Sequence, residues 1–160
     1  MNVQTTRFGE IEVPQEKIIT FPEGILGFSD HKEYVLIDHS PGSPIRWLQA
    51  LREPSLAFVV MDPLLFKADY QVTIQQKELA VLQTNNGNTI LVLTIITIPP
   101  GHPEQMTANL KGPVVINLEN RLAKQVVLYE SSYPTRYPIY AKFADRSEKD
   151  SEIETTGVQS

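Results

Sequence analysis

The sequence predicts a mainly β fold, a compact β-barrel-like domain with one or two short helices, and three observations carry that prediction. Short runs rich in Val, Ile, Thr and aromatic residues recur through the chain, separated by Pro, Gly, Asn and Ser, which is the pattern of strands joined by turns. Residues 90–98, ILVLTIITI, are apolar at both alternating sets of positions, as a strand covered on both faces requires. Only residues 75–83 look helical, with Leu79 and Leu82 on one side and good helix formers elsewhere.

In chain order, residues 10–13 alternate in polarity and form the first predicted strand, and 17–21 follows the turn at Pro14. The next strand, 34–38, runs into the turn cluster Ser40, Pro41, Gly42, Ser43, Pro44. Strands at 46–50 and 57–61 are separated by Glu53, Pro54 and Ser55. A turn of helix is expected within 62–69, where Asp62 can cap and Pro63 takes the first helical position, a place where its missing N–H is not needed. Asn85, Asn86, Gly87 and Asn88 read as a tight turn into the strand 89–98, which Pro99 and Pro100 end because they cannot donate to a ladder. The last strands, 114–117 and 124–129, are joined by the polar segment Leu118, Glu119, Asn120, Arg121. This many strands around a two-faced central one predict a closed or nearly closed barrel over residues 1–144. Residues 145–160 hold five acids, two bases and two aliphatic side chains. That is too little apolar surface to offset the entropy of ordering them, so an acidic, disordered C-terminal tail is expected.

Composition narrows the function classes. A chain of 160 residues suits one domain, which at this length buries about 70% of its unfolded surface without disulfides or metal. It has no cysteine, which removes disulfides, thiolate zinc sites and a cysteine nucleophile together. The N-terminus lacks the layout of a signal peptide, and no apolar run is long enough to span a bilayer, so a cytoplasmic protein without membrane contact is expected. A net charge of −5 and the lack of any basic cluster argue against direct nucleic-acid binding. Mild acidity matches a basic protein partner, and it also simply keeps a domain soluble.

The residues offer no catalytic arrangement. His31, His39 and His102 each stand beside turn residues, with no HExxH or comparable ligand spacing. Asp38, His39 and Ser40 place triad residue types side by side, but triads are assembled in space, and no GxSxG elbow is present. Gly24 and Gly27 are not followed by the Lys-Ser/Thr pair of a phosphate loop. The expectation is a protein that is not an enzyme and uses no cofactor or metal.

What stands out is apolar residues in irregular segments. Phe21, Pro22, Glu23, Gly24, Ile25, Leu26, Gly27 and Phe28 put four large hydrophobes where Pro and two glycines forbid regular structure. Such a loop reads first as a plug over one end of a barrel and second as an apolar surface for a partner. Trp47, beside Leu48 and Gln49, reads as core, with an indole N–H that needs an acceptor. Asn109 and Asn117 flank a segment containing Leu110, Gly112 and Pro113, and both read first as turn builders at strand ends.

Taken together these segments resemble the FliW family. The resemblance rests on Phe8-Gly9, the whole run from Phe21 to Phe28, Trp47-Leu48-Gln49, Phe58 with Asp62-Pro63, Tyr70, Thr107-Ala108-Asn109-Leu110 with Pro113 and Asn117, and Gln125. It covers about 120 residues in order. It implies a β-barrel-like fold and a regulatory role in flagellum biogenesis in the bacterial cytoplasm. FliW proteins bind flagellin at its C-terminal region and bind the translational regulator CsrA, antagonising its repression of flagellin translation and so coupling flagellin synthesis to export. The resemblance makes Phe21, Pro22, Gly24, Leu26, Gly27, Phe28, Trp47, Leu48, Gln49, Asn109, Leu110, Pro113 and Asn117 the partner-binding or family-motif candidates. The flagellin-facing expectation falls on 21–28 and 109–117. Strand count alone also permits a nucleic-acid-binding barrel of the OB type, and residues 38–40 permit a hydrolase.

Overall fold

The structure is a computed structural model that describes residues 1–84 and 89–141. The turn expected at 85–88 and the tail expected at 145–160 lie outside the described residues. Strands β1 (Asn2–Thr5) and β2 (Gly9–Glu12) form an antiparallel hairpin with its own two-stranded sheet. The main sheet contains β3 (Ile19–Thr20), β4 (Glu33–Asp38), β5 (Arg46–Ala50), β6 (Ala57–Met61), β7 (Ile90–Thr97), β8 (Thr107–Ala108), β9 (Val114–Asn117), β10 (Ala123–Gln125) and β11 (Tyr137–Pro138). Its order is β10-β9-β7-β6-β5-β4-β3, with β8 added beside β7 and β11 beside β8, and every ladder is antiparallel. The ladder path is open. Its two ends meet at one parallel bridge, Thr20 to Leu122, where the Thr20 N–H donates to the Arg121 carbonyl at 2.9 Å. That contact makes the sheet barrel-like without closing it.

Packing follows strand period. Leu91, Leu93 and Ile95 of β7 join the interior cluster of Ile19, Phe21, Ile25, Tyr34, Leu48, Val60 and Ile116. Val92 and Ile96, on the opposite face, pack with Phe66, Tyr70, Met106 and Leu110. The two-faced reading of this strand therefore holds, and a one-residue slip in its register would exchange both sets at once. The helix α1 (Gln76–Val81) is shorter than the predicted 75–83. The Glu78 carboxylate accepts from the Gln75 N–H at 2.8 Å, closing the helix start, and Leu82 is fully buried just past its end. Asp62 caps the turn Pro63–Leu65 through the Leu64 N–H at 2.9 Å, as its sequence predicts.

Tyr34 sits in the interior cluster with no exposed surface, and burial pushes its phenol up to about 12. Burial also raises Tyr70, with Tyr133 adding to the effect. An unfolded tyrosine ionises near pH 10. The unfolded chain therefore loses this proton first, and the stability contributed by keeping Tyr34 neutral is whole below about pH 10 and lost as pH rises to about 12. Urea midpoints should fall across that window, and Tyr34→Phe should flatten the fall; an unchanged slope in the variant would refute the assignment.

Candidate functional site

Residues 21–28 fold as two successive turns. The Gly24 N–H donates to the Phe21 carbonyl at 2.9 Å and the Phe28 N–H to the Ile25 carbonyl at 2.7 Å. Gly24 and Gly27 hold φ of 70° and 85°, a left-handed conformation that suits glycine. At Gly24 space adds a second requirement, since a Cβ would lie 2.6 Å from the Ser29 Cα. The turns sort the four hydrophobes. Phe21 and Ile25 point inward and plug the barrel, at 0% and 2% exposure, while Leu26 and Phe28 remain 67% and 41% exposed. The loop is thus both plug and surface. Phe28 leans edge-on against Phe58, ring centroids 5.2 Å apart, which holds its exposed ring in place.

The 109–113 segment is a bulge. β7 continues straight from its pairing with β9 to its pairing with β8, so Thr94 and Ile95 face five residues instead of two. Asn109 folds the excess back on itself, its Oδ1 accepting from the N–H groups of Lys111 and Gly112 at 3.1 and 2.9 Å. Leu110 is buried, and its carbonyl accepts from the Tyr70 hydroxyl at 2.6 Å. Pro113 is buried and its carbonyl accepts from the Val126 N–H.

Gln125 joins loop and bulge. Its Oε1 accepts from the Leu26 N–H at 3.0 Å, and its Nε2 donates to the Gly112 carbonyl at 3.0 Å. Beside it, Lys124 Nζ pairs with Glu23 at 2.7 Å. The 21–28 loop and the 109–113 bulge thus meet at a single amide, which fixes their spacing. Of the segment 109–117 expected to face a partner, however, only Asn109 and Lys111 are not buried, so the surface here belongs to the loop. A side chain on Gly112 would crowd that amide, since a Cβ there comes 3.1 Å from Gln125 Nε2. Next to the patch runs a groove of about 900 Å³ lined by the 23–29 loop, by Gln71, Thr73 and Glu78, and by residues 124–131.

The other candidates have structural surroundings. Trp47 is 2% exposed; its indole donates to His39 Nδ1 at 3.3 Å, with Phe8 edge-on and the Arg7 guanidinium 4.1 Å from its ring centre. The β1–β2 hairpin therefore lies over this tryptophan. Leu48 is interior, and Gln49 Nε2 reaches the carbonyls of Ala50, Glu53, Pro54 and Leu56, clasping the β5–β6 turn. Asn117 is buried and binds the Leu82 carbonyl, the Thr89 hydroxyl and the Glu119 N–H, tying the end of β9 to the end of α1. Pro22 is exposed on the loop. Asp38 is taken by Arg46 at 3.0 Å while His39 accepts from Trp47, so residues 38–40 face separate partners. Sequence reasoning placed Gln125 in the family pattern without giving it a site role, and it passed over Tyr129, at 81% exposure the most exposed large apolar side chain of the described residues.

Comparison with known proteins gives one consistent answer. The family described as "FliW protein" matches residues 2–139. The chain is 42% identical to a flagellar assembly factor FliW of Natranaerobius thermophilus over 140 residues, 88% of this chain and 93% of that one. It is 43% identical to a flagellar assembly factor FliW of Geobacter sulfurreducens, covering 90% and 89%. A crystal structure of the flagellar assembly factor FliW superposes with a TM-score of 0.81 at 31% identity, covering 87% of this chain and 96% of that one.

Proposed function

The chain belongs to the FliW family of flagellar assembly factors, and from that premise we propose that it is a cytoplasmic regulator that binds flagellin, at its C-terminal region, and CsrA. Holding CsrA antagonises its repression of flagellin translation, and release of the protein from flagellin on export couples synthesis to secretion. The observation that supports this reading most directly is the patch built on Gln125. There the 21–28 loop, tied through Gln125 to the largely buried 109–113 bulge, holds Leu26 and Phe28 in solvent. Exposed apolar side chains held by a scaffold are what a protein partner buries. Competition between flagellin and CsrA needs only a coupling free energy, and about 3 kcal/mol changes affinity roughly 150-fold, with or without overlapping sites.

Calorimetric titration with purified flagellin and with CsrA tests the proposal, and absence of binding to both ends it. Leu26→Asp should weaken flagellin binding at least about tenfold, because it puts a carboxylate into the buried centre of the contact. Its melting temperature should stay near that of the parent, since Leu26 is already largely solvated. Unchanged affinity in this variant would move the flagellin site off the patch.

A further inference from the structure

The groove beside Gln125 has a strand edge for its floor. In the β9–β10 ladder and its continuation, the Asn117 N–H donates to the Leu122 carbonyl, Val126 to Pro113 and Leu128 to Lys111. Even-numbered residues from 122 to 128 therefore turn their backbone groups toward β9 and the bulge, and by strand alternation the odd-numbered ones face the other way. At the near end that outer edge is occupied, since Arg121 accepts from Thr20. Farther on it is open: among the described residues neither the Val127 nor the Tyr129 N–H has a backbone partner. The open stretch runs from Gln125 to Leu128, about 13 Å, and ends at the Tyr129 N–H, where the Ser131 N–H closes a turn onto the Leu128 carbonyl.

Two walls rise beside this edge from opposite faces of the sheet. Ile74 packs with Val126 and Leu128 on one face, and Ile25 belongs to the barrel interior on the other. The 23–29 loop and the 71–78 segment consequently flank the edge as the sides of the groove. A folded sheet cannot reach an edge set between two walls. A single extended chain can.

We propose that residues 125–129 receive an extended segment of a partner protein as an added β-strand, with backbone hydrogen bonds to Gln125, Val127 and Tyr129. The inference rests on the protein-binding reading above and specifies its mode of recognition. Backbone pairing supplies affinity in this mode, and side-chain pockets on alternate residues supply selectivity. The groove states the chemistry of the segment. Glu23 and Lys124 pair with one another, Glu78 is held by the Gln75 N–H, and the remaining two charges, Lys77 and Glu130, are opposite in sign, so the walls present no strong net charge. Leu26 and Tyr129, 67% and 81% exposed, both line the groove and offer apolar contacts. The occupant is an uncharged extended run of about five residues carrying an apolar side chain on the face that meets them.

Overlapping fifteen-residue synthetic peptides covering flagellin and CsrA are the probes, titrated into the isotopically labelled full chain. At least one should bind and slow hydrogen exchange at the Val127 and Tyr129 amides about tenfold or more. Val127→Pro removes an outward N–H without touching the ladder to β9, and Pro is tolerated on sheet edges. This variant should melt near the parent temperature and lose at least about tenfold in affinity for that peptide. N-methylation of the bound peptide at alternate residues gives a check that leaves the protein untouched: one alternate set should abolish binding and the other spare it. If full-length partners bind but no peptide does, or if both methylation sets act alike, the strand-addition inference is overturned while the functional proposal stands. If the full-length partners fail to bind, the functional proposal itself has failed.

Discussion

Gly24→Ala is expected to lower stability by about 3 kcal/mol, roughly a 10 °C drop in melting temperature for a domain of this size. Two costs add. The backbone at φ of 70° is left-handed, and forcing an L side chain into it costs about 1–2 kcal/mol. The new methyl group then meets Ser29 backbone at 2.6 Å, an approach that a side-chain rotation cannot relieve. The loop has to shift, and with it Ile25 in the barrel and Leu26 on Gln125. Gly27→Ala separates the two costs, since φ is 85° there but an added Cβ meets nothing within 4 Å; it should lose only the conformational share. Thermal melts of the two variants decide the matter, and equal losses would show that the close approach to Ser29 contributes nothing. Weaker partner binding is expected of Gly24→Ala even at temperatures where it is folded, because the exposure of Leu26 depends on the turn that Gly24 makes.

The fold was legible where a residue's chemistry determines its surroundings. The apolar alternation of β7 foretold two covered faces, and Asp62-Pro63 foretold a capped turn, because both signals are local. Elements held by distant contacts were not legible. β1 is half polar, and only Val3 and Thr5 are buried, so nothing in Asn2–Thr5 announces a strand until β2 lies beside it. The predicted strand at 17–21 reduces to the two residues of β3, because Gln15–Lys17 tightens into a 3-10 turn. β11 contains Pro138 and exists only as an edge partner of β8, a position where a missing N–H is harmless. The predicted strand at 124–129 is regular only to Gln125, since the bulge of β9's approach interrupts the ladder beyond it, although Val126 and Leu128 still pair. The site shows the same division. Which loop hydrophobes plug and which face solvent is decided by two glycine turns, and the link between Leu26 and Gln125 spans 99 residues of chain, a contact no local pattern encodes.

Phe21→Ala is the substitution expected to cost most, about 3–5 kcal/mol, which is the range for removing a buried aromatic side chain. Phe21 is wholly buried, packs edge-on against Tyr34 at 5.2 Å between ring centroids, and stands among Ile19, Ile25 and Leu48 inside the barrel. Its backbone is committed as well, donating to Lys32 and accepting from Gly24, so the chain at this point cannot collapse freely into the space left by the ring. The cavity term is therefore retained, and the loss should lie toward the upper part of the range. Phe21→Leu, which refills part of the volume, should recover more than half of it. Leu26→Asp, five residues away on the same loop, should leave stability within about 0.5 kcal/mol of the parent while weakening partner binding at least about tenfold. Urea denaturation of the three variants measures all of this at once. A Phe21→Ala loss under 1 kcal/mol would mean that the loop does not plug the barrel, and a large loss in Leu26→Asp would mean that its outward face is held by the fold and is not free for a partner. The contrast is the physical content of the site: one short loop uses its first two hydrophobes and its last two for different tasks, and substitution in either pair should disturb only the task that pair performs.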